Sequence, residues 1–185
     1  MVQVRIHGRG GQGVVTAAEL LSVAAFLDGL HAQAFPSFGS ERTGAPVVAF
    51  CRIDERPIWL REPIATPDAL IVQDPTLLHQ VDVFAGLRPG GHVVVNTTRP
   101  VEALGLGDVD ARVLTLPASE LARRHLGRPV PNAALLGGFA ALTGDVTLQS
   151  VTTAIRERFS GPLASGNVAA AEAAFAAVAE ALAHV

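Results

Sequence analysis

The amino-acid sequence predicts an α/β protein: a three-layer α/β/α arrangement around a mostly parallel mixed sheet, with a helical C-terminal part. Three observations predict it. A β-branched, alternating opening segment runs straight into a glycine-rich turn and then into helical periodicity. Short apolar runs closed by polar turn formers recur through the middle of the chain, as buried parallel strands do. From Ala118 onward the apolar residues follow helical spacing, broken only by Gly and Pro.

Taken in order, residues 2–7 (VQVRIH) are the first strand, and Gly8-Arg9-Gly10-Gly11-Gln12-Gly13 is the turn that follows. Val14 to Leu30 carries Leu20, Leu21, Ala24, Ala25 and Leu27 near one helical face, with Gly29 as the stop. Residues 31–36 form a second strand that opens into the turn-rich loop PSFGSERTG. A third strand over 45–54 and a short fourth over 56–60, joined at Asp54-Glu55, read as a hairpin that makes the sheet mixed. Residues 68–74 are a buried strand, 77–87 a helix, and 92–97 and 112–116 the last strands. Helices follow over 118–126, 131–142, 147–159 and 166–184. In the last of these, Val168, Ala171, Phe175, Val178 and Leu182 make one apolar seam, suited either to packing on the sheet or to docking a partner. No repeat or linker divides the chain, so a single domain over 1–185 is expected.

Composition narrows the chemistry. With 49% hydrophobic and 17% charged residues the chain is not a disordered one. Its net charge of −3 gives no footprint for nucleic acid. All 14 basic residues are arginine, which removes a Schiff-base lysine and the lysine of a Walker-type phosphate loop. No apolar stretch is seen to approach the ~20 residues of a membrane span, and the N-terminus has no secretory pattern, so a cytoplasmic location without membrane contact is expected. Cys51 is the lone cysteine. It cannot close a disulfide within the chain or supply the thiolates of an iron–sulfur cluster, and its strand context reads as a small core residue, with a nucleophile as the alternative.

Two segments carry the candidate chemistry. Gly8, Gly10 and Gly13 match G-x-G-x-x-G between a strand and a helix, where backbone amides can approach an anion. The acid expected about 20 residues on, to hold a ribose, is missing, since the second strand ends in Phe35-Pro36-Ser37. Three readings stay open: a dinucleotide site, a tight turn that lets helix and strand pack closely, and a contact with a partner's cofactor or a phosphate-bearing ligand. The second segment, Phe35 to Pro46, sets two aromatics and the pair Glu41-Arg42 in a loop, either internally satisfied or functional. Asp74 before Pro75 reads as a turn cap or a functional acid, His7 as a hydrogen-bonded strand-end residue or a proton shuttle. Asn132 reads as a residue that caps or starts a helix and Trp59 as a core residue or an interface anchor.

The ordered pair GRGGQGVVTAAELL and AFPSFGSERTGAPVVAFCRID resembles the gamma subunit, or gamma-like domain, of the 2-oxoacid:ferredoxin oxidoreductases. Agreement continues through Gln73-Asp74-Pro75, Gly90-Gly91, Val95-Asn96, Pro131 to Gly137 and Asn167, and so covers essentially the whole chain. One departure is Thr43, where many relatives place a second arginine.

The resemblance implies a CoA-dependent oxidative decarboxylation of a 2-oxoacid to an acyl-CoA. Thiamine diphosphate and magnesium would lie in alpha- and beta-like partners, and iron–sulfur clusters in beta- and ferredoxin-like (delta) partners, with ferredoxin as acceptor. This chain would hold no metal and no catalytic residue. It would shape the cofactor and CoA cleft through Gly8, Gly10, Gly11, Gln12, Gly13, Ser37, Gly39, Glu41 and Arg42, with the two loops side by side at the carboxyl ends of the strands. The rival reading is a stand-alone NAD(P)-binding Rossmann-like oxidoreductase.

Overall fold

The computed structural model describes residues 1–37 and 42–184. Strand β1 (Val2–Arg9) leads through the glycine turn into helix α1 (Val14–Leu27), followed by β2 (His31–Pro36), β3 (Pro46–Asp54), β4 (Ala69–Val72), β5 (Gly91–Asn96) and β6 (Ala111–Leu116). Four helices complete the chain: α2 (Ala118–Leu126), α3 (Asn132–Thr143), α4 (Leu148–Arg158) and α5 (Gly161–Ala183).

The six strands form one sheet in the order β2-β3-β1-β4-β5-β6. β1, β4, β5 and β6 pair in parallel, and β3 lies antiparallel between β1 and β2. The mostly parallel mixed sheet is therefore present, but its antiparallel member is β3 itself, and no strand forms over 56–60. At that point the Asp54 carboxylate accepts from the Arg56 N–H at 3.0 Å, and Pro57 has no N–H to extend a ladder. The helix expected over 77–87 is also absent. Asp74 and Pro75 start only a short 3-10 turn, Pro75–His79, and the carbonyls of Val83 and Ala85 point instead at the Arg5 guanidinium, 2.8 and 2.7 Å away.

Side chains alternate across the strands, and the two faces carry different cores. On one face Val4, Ile6, Cys51, Ile71, Val94 and Leu116 join residues of all five helices, among them Leu21, Phe139, Ile155 and Val178. The opposite face buries Leu70, Val72, Val93 and Val95 under Leu104, Leu78, Phe84 and Leu87, which belong to 3-10 turns and irregular segments. Three layers result, one of them helical and the third built of short turns. Cys51 sits fully buried, and burial pushes its thiol up to about 12.

α5 packs on α3, α2 and α4, so its apolar seam is covered by other helices and not by the sheet. Gly137 of α3 lets the two backbones meet: a Cβ there would overlap the main chain of Ala171. α5 begins at Gly161, earlier than the spacing suggested, because Pro162 suits a first helical turn. At 23 residues it is also long and apolar enough, by length and composition, to cross a membrane. The expectation of no such stretch is corrected. The run is alanine-rich, and its two acids, Glu172 and Glu180, stand far apart.

Candidate functional site

The site is assembled where β1, β4 and β5 end. Gly8 closes the approach of β1 to α1, since a Cβ there would stand 2.5 Å from Val14 Cγ2 and 2.8 Å from Gln73 Oε1. Gly11 and Gly13 adopt φ of 90° and 73°, the left-handed region in which glycine is at ease. Gly13 is the N-cap of α1 without a capping side chain. Among the described residues, no acceptor meets the backbone N–H groups of Val14, Val15 and Thr16, which leaves a positive helix end facing outward.

Gly10 ties this turn to the second loop. Its N–H donates to the Ala45 carbonyl at 2.9 Å, its carbonyl accepts from Gly44 N–H at 3.0 Å, and a Cβ on it would overlap the Arg42 carbonyl. Arg9 completes the bracing: Nε donates to Asp74 Oδ2 at 3.1 Å, Nη1 to the Gly44 carbonyl at 3.0 Å, and Nη2 to Thr76 Oγ1 and Gln80 Oε1, each at 2.7 Å. Gln12 donates to the same carboxylate at 3.0 Å. The turn after β1 and the segment from Thr43 to Ala45 therefore lie side by side.

Asp74 is a cap. Its Oδ1 accepts from Thr76 N–H at 3.0 Å and starts the 3-10 turn. Partial burial disfavours its charge, but the hydrogen bonds from Thr76 and Gln12 and the Arg9 charge outweigh that and hold its carboxyl below the usual range.

Beside these loops opens a cavity of about 650 Å³, within the range of small-molecule sites. Its polar wall is made of amides. Gln73 Nε2 donates to Asn132 Oδ1 at 2.6 Å, Asn132 Nδ2 to the Gly13 carbonyl at 3.1 Å, and Asn96 Nδ2 to the Gln73 carbonyl and Ser119 Oγ, both at 2.8 Å. Gln73 is 2% exposed, and its Oε1 has no partner among the described residues. That leaves a buried acceptor next to the helix end, able to receive an amide or amine proton. Asn132 thus tethers the glycine turn, and of the two roles expected of it, it starts α3, with Pro131 at the cap position.

Gly8, Gly10, Gly11, Gln12 and Gly13 are brought together here. Ser37 lies exposed after β2, where its N–H donates to the Val48 carbonyl at 2.9 Å. Arg42 is exposed beside Gly10, while Gly39 and Glu41 fall outside the described residues. Sequence reasoning did not single out Gln73, Asn96 and Ser119 as site residues. Their signal was a polar residue closing each apolar strand run, with the helix-opening Ser119 beyond.

His7 departs from expectation. Its Nε2 is buried with no hydrogen-bond partner among the described residues, and burial, helped by the Arg5 charge, pulls its pKa down to about 4. Trp59 is 85% exposed, so it is no core residue. Among the described residues no group of three or more His, Cys, Asp or Glu could hold a metal ion.

The topology overturns the Rossmann reading. In a dinucleotide site the strand next to β1 ends in the ribose-binding acid. Here one neighbour is the antiparallel β3, which sets Pro46 and Val47 against Arg9 and Gly8, and the acid beyond the parallel neighbour β4, Asp74, is taken up by Arg9, Gln12 and Thr76. Asp28 is engaged elsewhere, accepting from Thr147 and Ser150 at the start of α4.

Residues 3–177 match the family described as pyruvate ferredoxin/flavodoxin oxidoreductase. The chain is 54% identical over 156 residues to pyruvate synthase subunit PorC of Methanosarcina barkeri, covering 84% of this chain and 85% of that one. It is 49% identical over 177 residues to the pyruvate/ketoisovalerate oxidoreductases common subunit gamma of Thermococcus litoralis, covering 95% and 96%. The crystal structure of pyruvate oxidoreductase subunit PORC from Thermotoga maritima superimposes with a TM-score of 0.83 at 31% identity, over 95% of each chain. The fold also recurs within a longer chain, the 2-oxoglutarate:ferredoxin oxidoreductase of Magnetococcus marinus, with a TM-score of 0.74 at 16% identity over 97% of this chain and 31% of that one. Sequence and fold agree from end to end, and the chain belongs to the pyruvate ferredoxin/flavodoxin oxidoreductase family, as a chain of its gamma type.

Proposed function

We propose that this chain is the gamma subunit of a pyruvate-type 2-oxoacid:ferredoxin oxidoreductase and forms one wall of the cleft through which coenzyme A reaches the reacting centre. The observation that carries the reading is the amide-walled cavity beside the open N-terminus of α1, with the glycine turn and the Arg42 segment braced together at its edge. A helix end of this kind favours an anion, and Gln73 Oε1 offers an acceptor to an amide or amine of the same ligand. The exposed Arg42 supplies a charge for a phosphate or a partner carboxylate. Ser37 belongs to the same cleft edge in this reading.

The hard chemistry lies in other chains. One buried cysteine with a thiol pushed up to about 12 does not fit a cluster ligand, and the family resemblance supports placing the iron–sulfur clusters in beta- and ferredoxin-like (delta) subunits. Thiamine diphosphate and magnesium belong to alpha- and beta-like subunits, and supply the carbanion chemistry of decarboxylation there. Ferredoxin takes the electrons. What this chain contributes is orientation of CoA and exclusion of water. Relatives named as a gamma subunit common to pyruvate and ketoisovalerate oxidoreductases support placing 2-oxoacid selection outside this chain.

The test is a gentle anaerobic pull-down of the tagged chain from its native cells, with the eluate assayed for CoA-dependent reduction of a viologen dye by a panel of 2-oxoacids. Cluster-bearing chains that co-elute, with activity on pyruvate, are expected. A lone, inactive protein would overturn the assignment.

A further inference from the structure

Among the described residues that line the amide-walled cavity, one side chain is ionised, and it is negative. Asp74 stands in the wall with Gln12, Gly13, Thr16, Gln73 and Asn132, none of which titrates. Partial burial disfavours its charge, but hydrogen bonds from Thr76 and Gln12 and the Arg9 charge outweigh that, so Asp74 stays a carboxylate at neutral pH. The fold needs an acceptor there, because Oδ1 caps the 3-10 turn through Thr76 N–H at 3.0 Å. The same wall carries the open N-terminus of α1, which favours an anion. A bare carboxylate beside it would repel any phosphate brought to that end.

Arg9 answers this charge from outside the cavity. Its side chain is not part of the lining, yet Nε donates to Asp74 Oδ2 at 3.1 Å, and the two side chains are only 20% and 16% exposed. A pair so sheltered is screened by salt less than a surface pair. The rest of the fork is taken up by the Gly44 carbonyl on Nη1 and by Thr76 and Gln80 on Nη2. A planar guanidinium can hold these four acceptors together, and an ammonium cannot. Among the described residues Asp74 has no other cation and Arg9 no other carboxylate.

We infer that Arg9 is a positioning residue for the use of coenzyme A: without touching the ligand it neutralises Asp74 and fixes that carboxylate in its cap, so that the cavity admits a phosphate-bearing molecule. The inference rests on the gamma-subunit reading above. It assigns the arginine of the glycine turn an electrostatic task, in addition to bracing the Gly44 segment.

The test uses the complex assembled with the full chain, and reads initial rates of viologen reduction against CoA and against pyruvate. R9Q and R9M, both neutral, are expected to raise the KM for CoA about tenfold, as an unmasked carboxylate facing an anion should. The KM for pyruvate and kcat stay within twofold of wild type. Two neutral variants are used so that failure of one to assemble leaves the other. The rise should shrink at high salt, which screens the freed charge. R9K keeps the charge without the fork and should stay within threefold of wild type. Asp74→Asn in the R9Q background removes the carboxylate while keeping a side chain able to cap Thr76, and should restore most of the affinity for CoA. A purely structural arginine would give no such recovery, because the second substitution removes further hydrogen bonds. A KM for CoA within twofold of wild type in the neutral variants, no recovery in R9Q/D74N, or R9K as impaired as R9Q overturns the inference and leaves the subunit assignment standing. A wild-type chain that does not assemble, or a wild-type complex whose rate is independent of CoA, overturns the reading beneath it.

Discussion

At position 7 the first strand places an imidazole under the sheet beside the Arg5 guanidinium, and burial, followed by that charge, disfavours its protonated form. The folded pKa, about 4, lies below the ordinary value of 6.5, so between the two the unfolded chain binds more protons than the folded one. Stability is therefore undiminished by this group above the ordinary value, and falls as the pH drops from there toward the folded pKa. The full loss is about 3 kcal/mol. Urea denaturation of wild type and His7→Gln at neutral pH and at pH ~4.5 should show the wild type losing ~2 kcal/mol more than the variant. At this scale the sequence was legible where chemistry leaves one choice. Gly8, Gly10 and Gly13 are each forced by a close approach or a positive φ, and Cys51 is buried as its strand implied. It was illegible where partners come from afar. Nothing in the residues around Trp59 or His7 says which of them ends up in water, because that depends on what the fold lays over them.

α3 and α5 illustrate the element scale. Gly137 has no special φ, so in an isolated helix an alanine there would gain about 1 kcal/mol. In this fold its Cβ would overlap main-chain atoms of Ala171, and neither backbone can give way without opening the helix pair. Gly137→Ala is expected to destabilise by about 2–3 kcal/mol net, read as a lowered urea midpoint with an unchanged slope. Helix positions followed closely from spacing, α2 included, because capping and periodicity are local. The segments 56–60 and 77–87 did not: at the first the Asp54 carboxylate takes the Arg56 N–H and Pro57 has none to give, and in the second the Val83 and Ala85 carbonyls answer to Arg5. β-propensity and apolar spacing cannot register a buried guanidinium that takes the carbonyls first.

For the whole molecule, one apolar cluster links residues of β1, β3, β4, β5 and β6 with all five helices. A single cooperative thermal transition by far-ultraviolet circular dichroism is expected, as for one folding unit. Two resolved transitions would divide the chain into more than one domain. Trp59 fluorescence should change little across that transition, its side chain being exposed already. The α/β class and the parallel majority were readable from strand–turn–helix order, and the place of β3 was not, because strand order is decided by long-range pairing. That placement also bears on how the protein is made. β1 leaves the ribosome before both of its sheet neighbours, β3 and β4, which lie downstream of it in the chain. A nascent chain that ends at residue 36 has its future central strand bare on both edges. Sheet assembly must wait for residues 46–72, and until then this strand is the segment most in need of a chaperone.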